Sequence, residues 1–355
     1  MRVLEVYKGL HPGVKGGIER YVHDLGVYLT GRGHGVEVMV PGGSRAGGSV
    51  SLEGMTVTTV PGLATVLSNP ITPGFGPRLR RSRADILHFH LPLPTAVLSW
   101  RLWGDGRPCV VTYHSDIVRQ RTLLPLYGPL LRSFLRRASR VLATSPVYAA
   151  SSPFLAGLPN VSVVPIGVDT SRFSPGPGEK GDYFLFVGRF RGYKGIHVLL
   201  DAWSRLPGTR LVMVGGGPLE GEVRSRVDRE GLQVELAGTV DDAGLLRLYR
   251  GARALVLPST HRSEAYGMVQ LEAMACGTPV ISTALDTGVR WVNRDGETGL
   301  VVPPGDPEAL SAAVRSMADD ALRETLSRQA LARAGGELEA SRTFSMVERV
   351  MEDSL

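Results

Sequence analysis

Two glutamates, Glu264 and Glu272, stand with seven residues between them in the run EAYGMVQLEAMACGTPVI. Ionised carboxylates accept hydrogen bonds from hydroxyls, so this pair suits a ligand with hydroxyls at both ends. Leu271, Ala273, Met274 and Ala275 are strong helix formers, and Gly277-Thr278-Pro279 stops the run, which places Glu272 on a helix. Gly267 falls near its start, where backbone N–H groups lack partners inside the helix and the dipole favours phosphate oxygens. Eight residues at helical rise span about 12 Å, the reach from a sugar ring across a diphosphate to a ribose. The competing reading is an amphipathic helix with two solvated acids.

Other residues could share such a site. In GRFRGYKG, Arg189 and Lys194 follow the apolar run Tyr183–Val187 and precede a helical pattern. Two cations there suit a diphosphate and could neutralise a leaving nucleotide, or they are solvated loop charges. His114, in TYHSDIVRQR, falls where a strand meets a loop and could bond a sugar hydroxyl or serve a structural role. His88 and His90 share one strand face, but a metal site needs a third ligand and the sequence places none. Gly16-Gly17 directly precede a helix and allow close backbone approach to a phosphate or sugar; a plain strand–helix turn would look the same. G-x-G-x-x-G is absent, which disfavours NAD. Asp241-Asp242 reads as a helix cap rather than a metal site.

The elements that must position these residues follow from hydrophobic patterning. Strands are expected at Arg2–Tyr7, Val36–Val40, Met55–Val60, Asp85–His90, Cys109–Tyr113, Arg140–Thr144 and Val161–Pro165. After the turn-rich stretch Thr170–Asp182, read as a linker, they resume at Tyr183–Val187, Arg210–Val214, Gln233–Ala237, Ala254–Pro258, Val280–Thr283 and Gly299–Val302. Ile18, Tyr21, Val22, Leu25 and Leu29 recur at helical spacing over Ile18–Thr30. Strand–helix alternation predicts an α/β protein with two doubly wound parallel sheets, a cleft between them and ligands at the carboxyl ends of the strands. Residues 41–54 and 61–84 are rich in Gly, Pro and Ser and read as loops, the second, ending in RLRRSR, as a mobile one. The tail Ala309–Leu355 is helical in pattern with a break at Gly335-Gly336.

At 355 residues, 43% hydrophobic and 21% charged, the composition is that of a soluble globular protein. No apolar run is long enough to span a membrane and no secretory signal is expected, so the expected compartment is the cytoplasm. Cys109 and Cys276 sit in or beside apolar runs and read as buried thiols. Charge is uneven: residues 1–175 hold 19 Lys+Arg against 9 Asp+Glu, whereas residues 176–355 hold 21 against 25. Between Arg119 and Arg140 six arginines interleave with leucine and phenylalanine without one acid. That pattern fits a basic face on an anionic membrane or a surface helix packed on the first sheet. No recognition module accompanies it, so nucleic acid is not an expected partner.

Seven pieces, in order, resemble one known family: GGIERYVHDLGVYLTGRGH, DILHFH, TYHSDIVRQ, VVPIGVDTSRF, FVGRFRGYKG, LVMVGGGP and EAYGMVQLEAMACGTPVI. The chain resembles the retaining GT-B glycosyltransferases of family 4 (glycosyl transferases group 1) along nearly its whole length. The resemblance implies an N-terminal acceptor-side domain over 1–170, a C-terminal nucleotide-sugar domain over 171–336, and a final helix, 337–355, packing back on the first domain. It implies that Glu264 bonds the donor sugar and Glu272 the ribose, that Arg189 and Lys194 hold the diphosphate, and that Gly267, Met268 and Val269 offer backbone contacts. Val240 would lie near the base, Gly16 and Gly17 would close on the donor from the opposite domain, and His114 would contact the sugar near the reacting carbon. Lys15, beside the glycine turn, is not a residue the family requires. Transfer would retain configuration, with a GDP- or UDP-sugar as donor, no cofactor and no metal. HSDIVRQ resembles members that build bacterial surface polysaccharides on lipid carriers, which implies a sugar or lipid-linked acceptor and peripheral attachment to the inner face of the cytoplasmic membrane. A nucleotide-sugar 2-epimerase of the same architecture is the alternative.

Overall fold

The computed structural model describes residues 1–14, 16–42, 47–66, 69–117, 124–177 and 180–355. Lys15, Arg119 and Arg121 fall outside the described residues. The chain forms two compact units, Met1–Ile166 with Thr343–Leu355, and Gly167–Arg342. The turn-rich run Thr170–Asp182, expected as a linker, therefore lies inside the second unit.

In the first unit, strands are β1 (Arg2–Val6), β2 (Gly35–Gly42), β3 (Gly48–Leu52), β4 (Met55–Pro61), β5 (Ala64–Val66), β6 (Asn69–Ile71), β7 (Ile86–Leu91), β8 (Cys109–Tyr113), β9 (Arg140–Ala143) and β10 (Val161–Val163). Eight of them form one sheet in the order β10-β9-β8-β7-β1-β2-β4-β3. It is parallel except at its β3 edge. Helices on both faces bury strands such as β7 along their whole length, which is why the strands read as continuous apolar runs. The helix Gly17–Gly31 turns Tyr21, Val22, Leu25 and Leu29 inward at the expected spacing and begins one residue earlier than its apolar pattern.

Residues 41–54 and 61–84 are not the loops expected. β3 pairs antiparallel with β4 across Glu53-Gly54, both at positive φ as a two-residue hairpin turn requires. β3 was hidden because its residues are largely exposed and polar, so no apolar face marked it. β5 and β6 form a small ribbon, and Phe75–Arg81 is a helix that buries Phe75 and Leu79. The end of RLRRSR is held by Arg107, whose guanidinium donates to the carbonyls of Leu79, Ser82 and Ala84.

The chain returns to this first unit at its end. Phe344 packs against the rings of Tyr21 and Tyr28 at centroid distances of 5.7 and 5.6 Å. Glu348, buried, accepts from Tyr28 Oη at 3.0 Å, Arg32 Nε at 3.3 Å and His34 Nε2 at 2.8 Å.

The second unit contains β11 (Phe184–Val187), β12 (Leu211–Val214), β13 (Val234–Gly238), β14 (Leu255–Leu257), β15 (Val280–Thr283) and β16 (Gly299–Val302). All pair in parallel, in the order β13-β12-β11-β14-β15-β16. Phe186, Leu199, Leu200, Met213, Val256 and Ile281 form its core. The strand order reverses between β11 and β14. In an open α/β sheet the connections leave in opposite directions at that point and open a crevice at the carboxyl ends.

Candidate active site

The segments leaving β11 and β14 meet at this switch point. From β11 the chain runs through Arg189 to a short 3-10 turn, Gly192–Lys194, and then to the helix Ile196–Trp203. Gly195 joins turn to helix at φ +72, and a Cβ there would run into the Pro258 carbonyl oxygen just beyond β14. Only glycine lets these two segments approach so closely. The approach brings Lys194 Nζ to 2.6 Å from Glu264 Oε2. Both residues are buried, at 8% and 7% exposure. Ser259 Oγ donates to the same carboxylate oxygen at 3.0 Å. Burial alone would lower the Lys194 pKa, but the adjacent Glu264 outweighs it and raises it. An ammonium has three donors and this pair uses one, so Lys194 can bind an anion without leaving Glu264.

Gly267 caps the helix Met268–Ala275 at φ +74, where a Cβ would press on Leu257 at 2.7 Å and Gln270 at 2.8 Å. The left-handed cap turns the chain so that the helix begins beside the end of β14. Only Glu272 is on this helix; Glu264 lies on the loop before it, so the two acids are not joined by one continuous helix. Glu272 accepts a hydrogen bond from Tyr249 Oη at 2.6 Å. Burial first, and then Glu272, push the Tyr249 hydroxyl well above its ordinary pKa, so it remains a donor. Val269 packs on Leu257, Leu285 and Val289, which anchors the first turn. Arg189 is exposed, and Val240 lies after β13, ahead of Asp241, which caps its helix by accepting from Gly244 N at 2.7 Å.

In the first unit, Gly16 caps the helix Gly17–Gly31 in extended conformation. The Glu19 carboxylate folds back over it and occupies the place of a side chain at position 16. His114 follows β8 and is buried. The third partner of His88 and His90, which the sequence could not place, is Glu5, the fourth of the five residues of β1. Its Oε2 lies 2.6 Å from His90 Nε2 and 2.8 Å from His88 Nδ1, direct hydrogen-bond distances.

The structure thus joins Lys194 to Glu264 and places Gly267, Met268 and Val269 at one helix start, with Glu272 a turn further along the same helix. It holds Gly16, Gly17 and His114 in the other unit. Ser259, Tyr249 and Glu5 were missed from sequence. Tyr249 had one available signal, an aromatic hydroxyl inside an apolar helix that must find a partner when buried.

Two family models match end to end: "Glycosyltransferase Family 4" over residues 15–172 and "Glycosyl transferases group 1" over residues 167–333. O-antigen chain mannosyltransferase C of Escherichia coli is 38% identical over 332 residues, covering 89% of this chain and 88% of the relative. This chain is a family 4, group 1 glycosyltransferase. Phosphatidyl-myo-inositol mannosyltransferase of Mycobacterium leprae is 33% identical over 334 residues, 88% of this chain and 86% of the relative. The solved structure of Anabaena HepE in complex with UDP-glucose superposes with a TM-score of 0.79 at 19% identity, covering 99% of this chain and all of that one. The glycosyltransferase therefore has the GT-B fold, and the relatives named here are transferases rather than epimerases.

Proposed function

We propose that this glycosyltransferase moves a hexosyl group, with mannosyl as the first candidate, from a GDP- or UDP-sugar to a hydroxyl of a lipid-linked glycan or polysaccharide precursor, with retention. The observation that carries the reading is the buried Lys194–Glu264 pair at the switch point, followed directly by the helix start at Gly267. Glu264 accepts sugar hydroxyls, Glu272 accepts ribose hydroxyls, and Arg189, Lys194 and the N–H groups of Met268 and Val269 take the diphosphate. Val240 borders the base, and His114, Gly16 and Gly17 contact sugar. The mannosyl preference is taken from the names of the two curated relatives, and the nucleotide donor from the neighbour that holds UDP-glucose.

Glu264 is held by Lys194 and Ser259, an arrangement suited to binding rather than to attack on a sugar carbon. This supports a front-face substitution. The bond from the anomeric carbon to the diphosphate breaks, the acceptor oxygen bonds the same face, and a departing phosphate oxygen takes the acceptor's proton. Catalysis then rests on positioning and on stabilising the leaving charge. A hollow of about 510 Å³ in the first unit, lined by Lys8, Glu19, Pro41, Gly42, Leu63 and Pro70 among others, suits a polar acceptor. The test is incubation with a panel of GDP- and UDP-hexoses and a lipid-linked acceptor, with the product's anomeric configuration read by NMR. Inverted product, or epimerised nucleotide sugar without transfer, overturns the proposal.

No added metal should be needed. Arg189 and Lys194 can balance the diphosphate, and the sequence has no Asp-x-Asp motif. Transfer is expected to persist in excess chelator; loss with rescue by magnesium or manganese would show that a metal carries the charge instead.

Among the described residues no helix is long and apolar enough to cross a membrane. In the helix Leu124–Arg137, Leu131, Phe134 and Leu135 are buried, so its apolar stripe serves the core rather than lipid. Arg132, Arg136 and Arg137 remain exposed, and so does Leu126 near the start of the helix, at 83%. With Pro125, Gly128 and Phe154 they border an open hollow of about 970 Å³. This supports docking by charge on the inner face of the cytoplasmic membrane, about 1 kcal/mol per cation near an anionic surface. The protein is expected to sediment with anionic but not neutral vesicles, and to lose binding at high salt and in the triple variant Arg132→Glu, Arg136→Glu, Arg137→Glu. Equal binding to neutral vesicles, or none to either, counts against it.

A further inference from the structure

The first unit buries an acid and three histidines that the transfer scheme above does not use as a group. Glu5 sits near the carboxyl end of β1, an inner strand of the eight-stranded sheet, with no exposure. A carboxylate in that position is unfavourable unless it is hydrogen-bonded. His88 Nδ1 and His90 Nε2 both face it, at 2.8 and 2.6 Å from Oε2. An ionised carboxylate only accepts, so both nitrogens carry the hydrogens. A neutral imidazole has one N–H. The other nitrogen of His90 must therefore accept: His90 Nδ1 from His114 Nε2 at 3.0 Å, while His88 Nε2 lies 2.7 Å from the Thr112 hydroxyl. That uses the single N–H of His114 and leaves its Nδ1 bare. His114 Nδ1 is buried without a hydrogen-bond partner, and so is Tyr7 Oη at the end of β1. The two rings lie 6.3 Å apart.

We propose that Glu5 is a positioning residue which, through His90, holds His114 as the Nε2–H tautomer, so that Nδ1 presents a lone pair to a sugar hydroxyl. The ligand half rests on the reading of His114 as a sugar contact. A hydroxyl is both donor and acceptor, so one entering beside His114 satisfies the bare nitrogen and can take the Tyr7 hydrogen. The charge states agree with this ordering. Burial would raise the Glu5 carboxyl, but His88 and His90 hold it at about 2. Burial, then His88, lower His90 to about 4. Burial, then His90, take His114 well below its ordinary value. Near neutrality Glu5 is therefore a carboxylate, and His90 and His114 are neutral rings.

The test is a long-range proton–nitrogen NMR spectrum of the full-length protein near neutral pH. His114 and His90 are expected protonated on Nε2 alone. A proton on His114 Nδ1, or a stoichiometric transition metal in the purified protein, overturns the proposal. In Glu5→Leu, of similar volume, His114 should lose its single tautomer. kcat should fall at least about tenfold, as for other residues that orient a functional histidine, while nucleoside diphosphate affinity stays unchanged. An unchanged His114 spectrum in Glu5→Leu overturns the positioning role even if activity is lost. A correct tautomer with full transfer in His114→Ala instead overturns the sugar contact, and leaves the donor site of the second unit unaffected.

Discussion

Lys194→Met is expected to lower kcat by about 10²–10³, the usual effect of removing one preorganised stabiliser of developing charge. It should also destabilise the protein by about 3–5 kcal/mol. The first effect follows from the leaving diphosphate. The second follows from Glu264, which would be left as an uncompensated carboxylate at 7% exposure. The two separate in the double variant Lys194→Met, Glu264→Gln. Removing both charges should return most of the stability, because the penalty belongs to the orphaned partner, yet kcat should stay at least as low as in the single variant. Denaturant unfolding and steady-state kinetics on the three variants check this. Recovery of activity in the double variant, or no difference in stability between single and double, would sink the account. The pair also sets a pH dependence. The folded Lys194 pKa is raised above its ordinary value of 10.5. Its contribution is therefore complete below pH 10.5 and is lost as pH rises through the folded value. Wild-type stability should accordingly fall more steeply above pH 10.5 than that of the double variant.

Glu272→Ala should weaken binding of the free nucleoside diphosphate about 10- to 100-fold, the scale of a charge-assisted hydrogen bond. Glu264→Ala should leave that affinity intact or raise it, because Lys194 then has no competing carboxylate, while transfer falls sharply. Calorimetry with the diphosphate alone separates the two. Equal losses would refute the division of the site into a sugar end and a ribose end. Tyr249→Phe is expected to reproduce a smaller part of the Glu272 loss. The ring still fills the core, but the hydroxyl that fixes the carboxylate at 2.6 Å is gone.

Apart from the β3 edge and the small β5–β6 ribbon, the strands were legible from local pattern. Cys109–Tyr113, Val280–Thr283 and Gly299–Val302 match their apolar runs residue for residue, because strands buried on both faces need continuous β-branched and aliphatic residues. The carboxyl-end placement of Arg189, Lys194 and His114 followed from strand–helix alternation, which needs only sequence order. What the tertiary structure decided is non-local. Lys194 and Glu264 are brought together because β11 and β14 are neighbours in space, although six helices and strands of chain lie between the two residues. Glu5 meets His88 and His90 through the register of β1 with β7, which no periodicity encodes. The same sequence pattern that exposes arginine on the helix Leu124–Arg137 could have turned its leucines to lipid or to the sheet. Only the packed neighbours Phe89 and Trp100, which meet Phe134 edge-on, settled that Leu131, Phe134 and Leu135 face inward. Periodicity states which residues share a face, and burial against a particular partner states what that face is for.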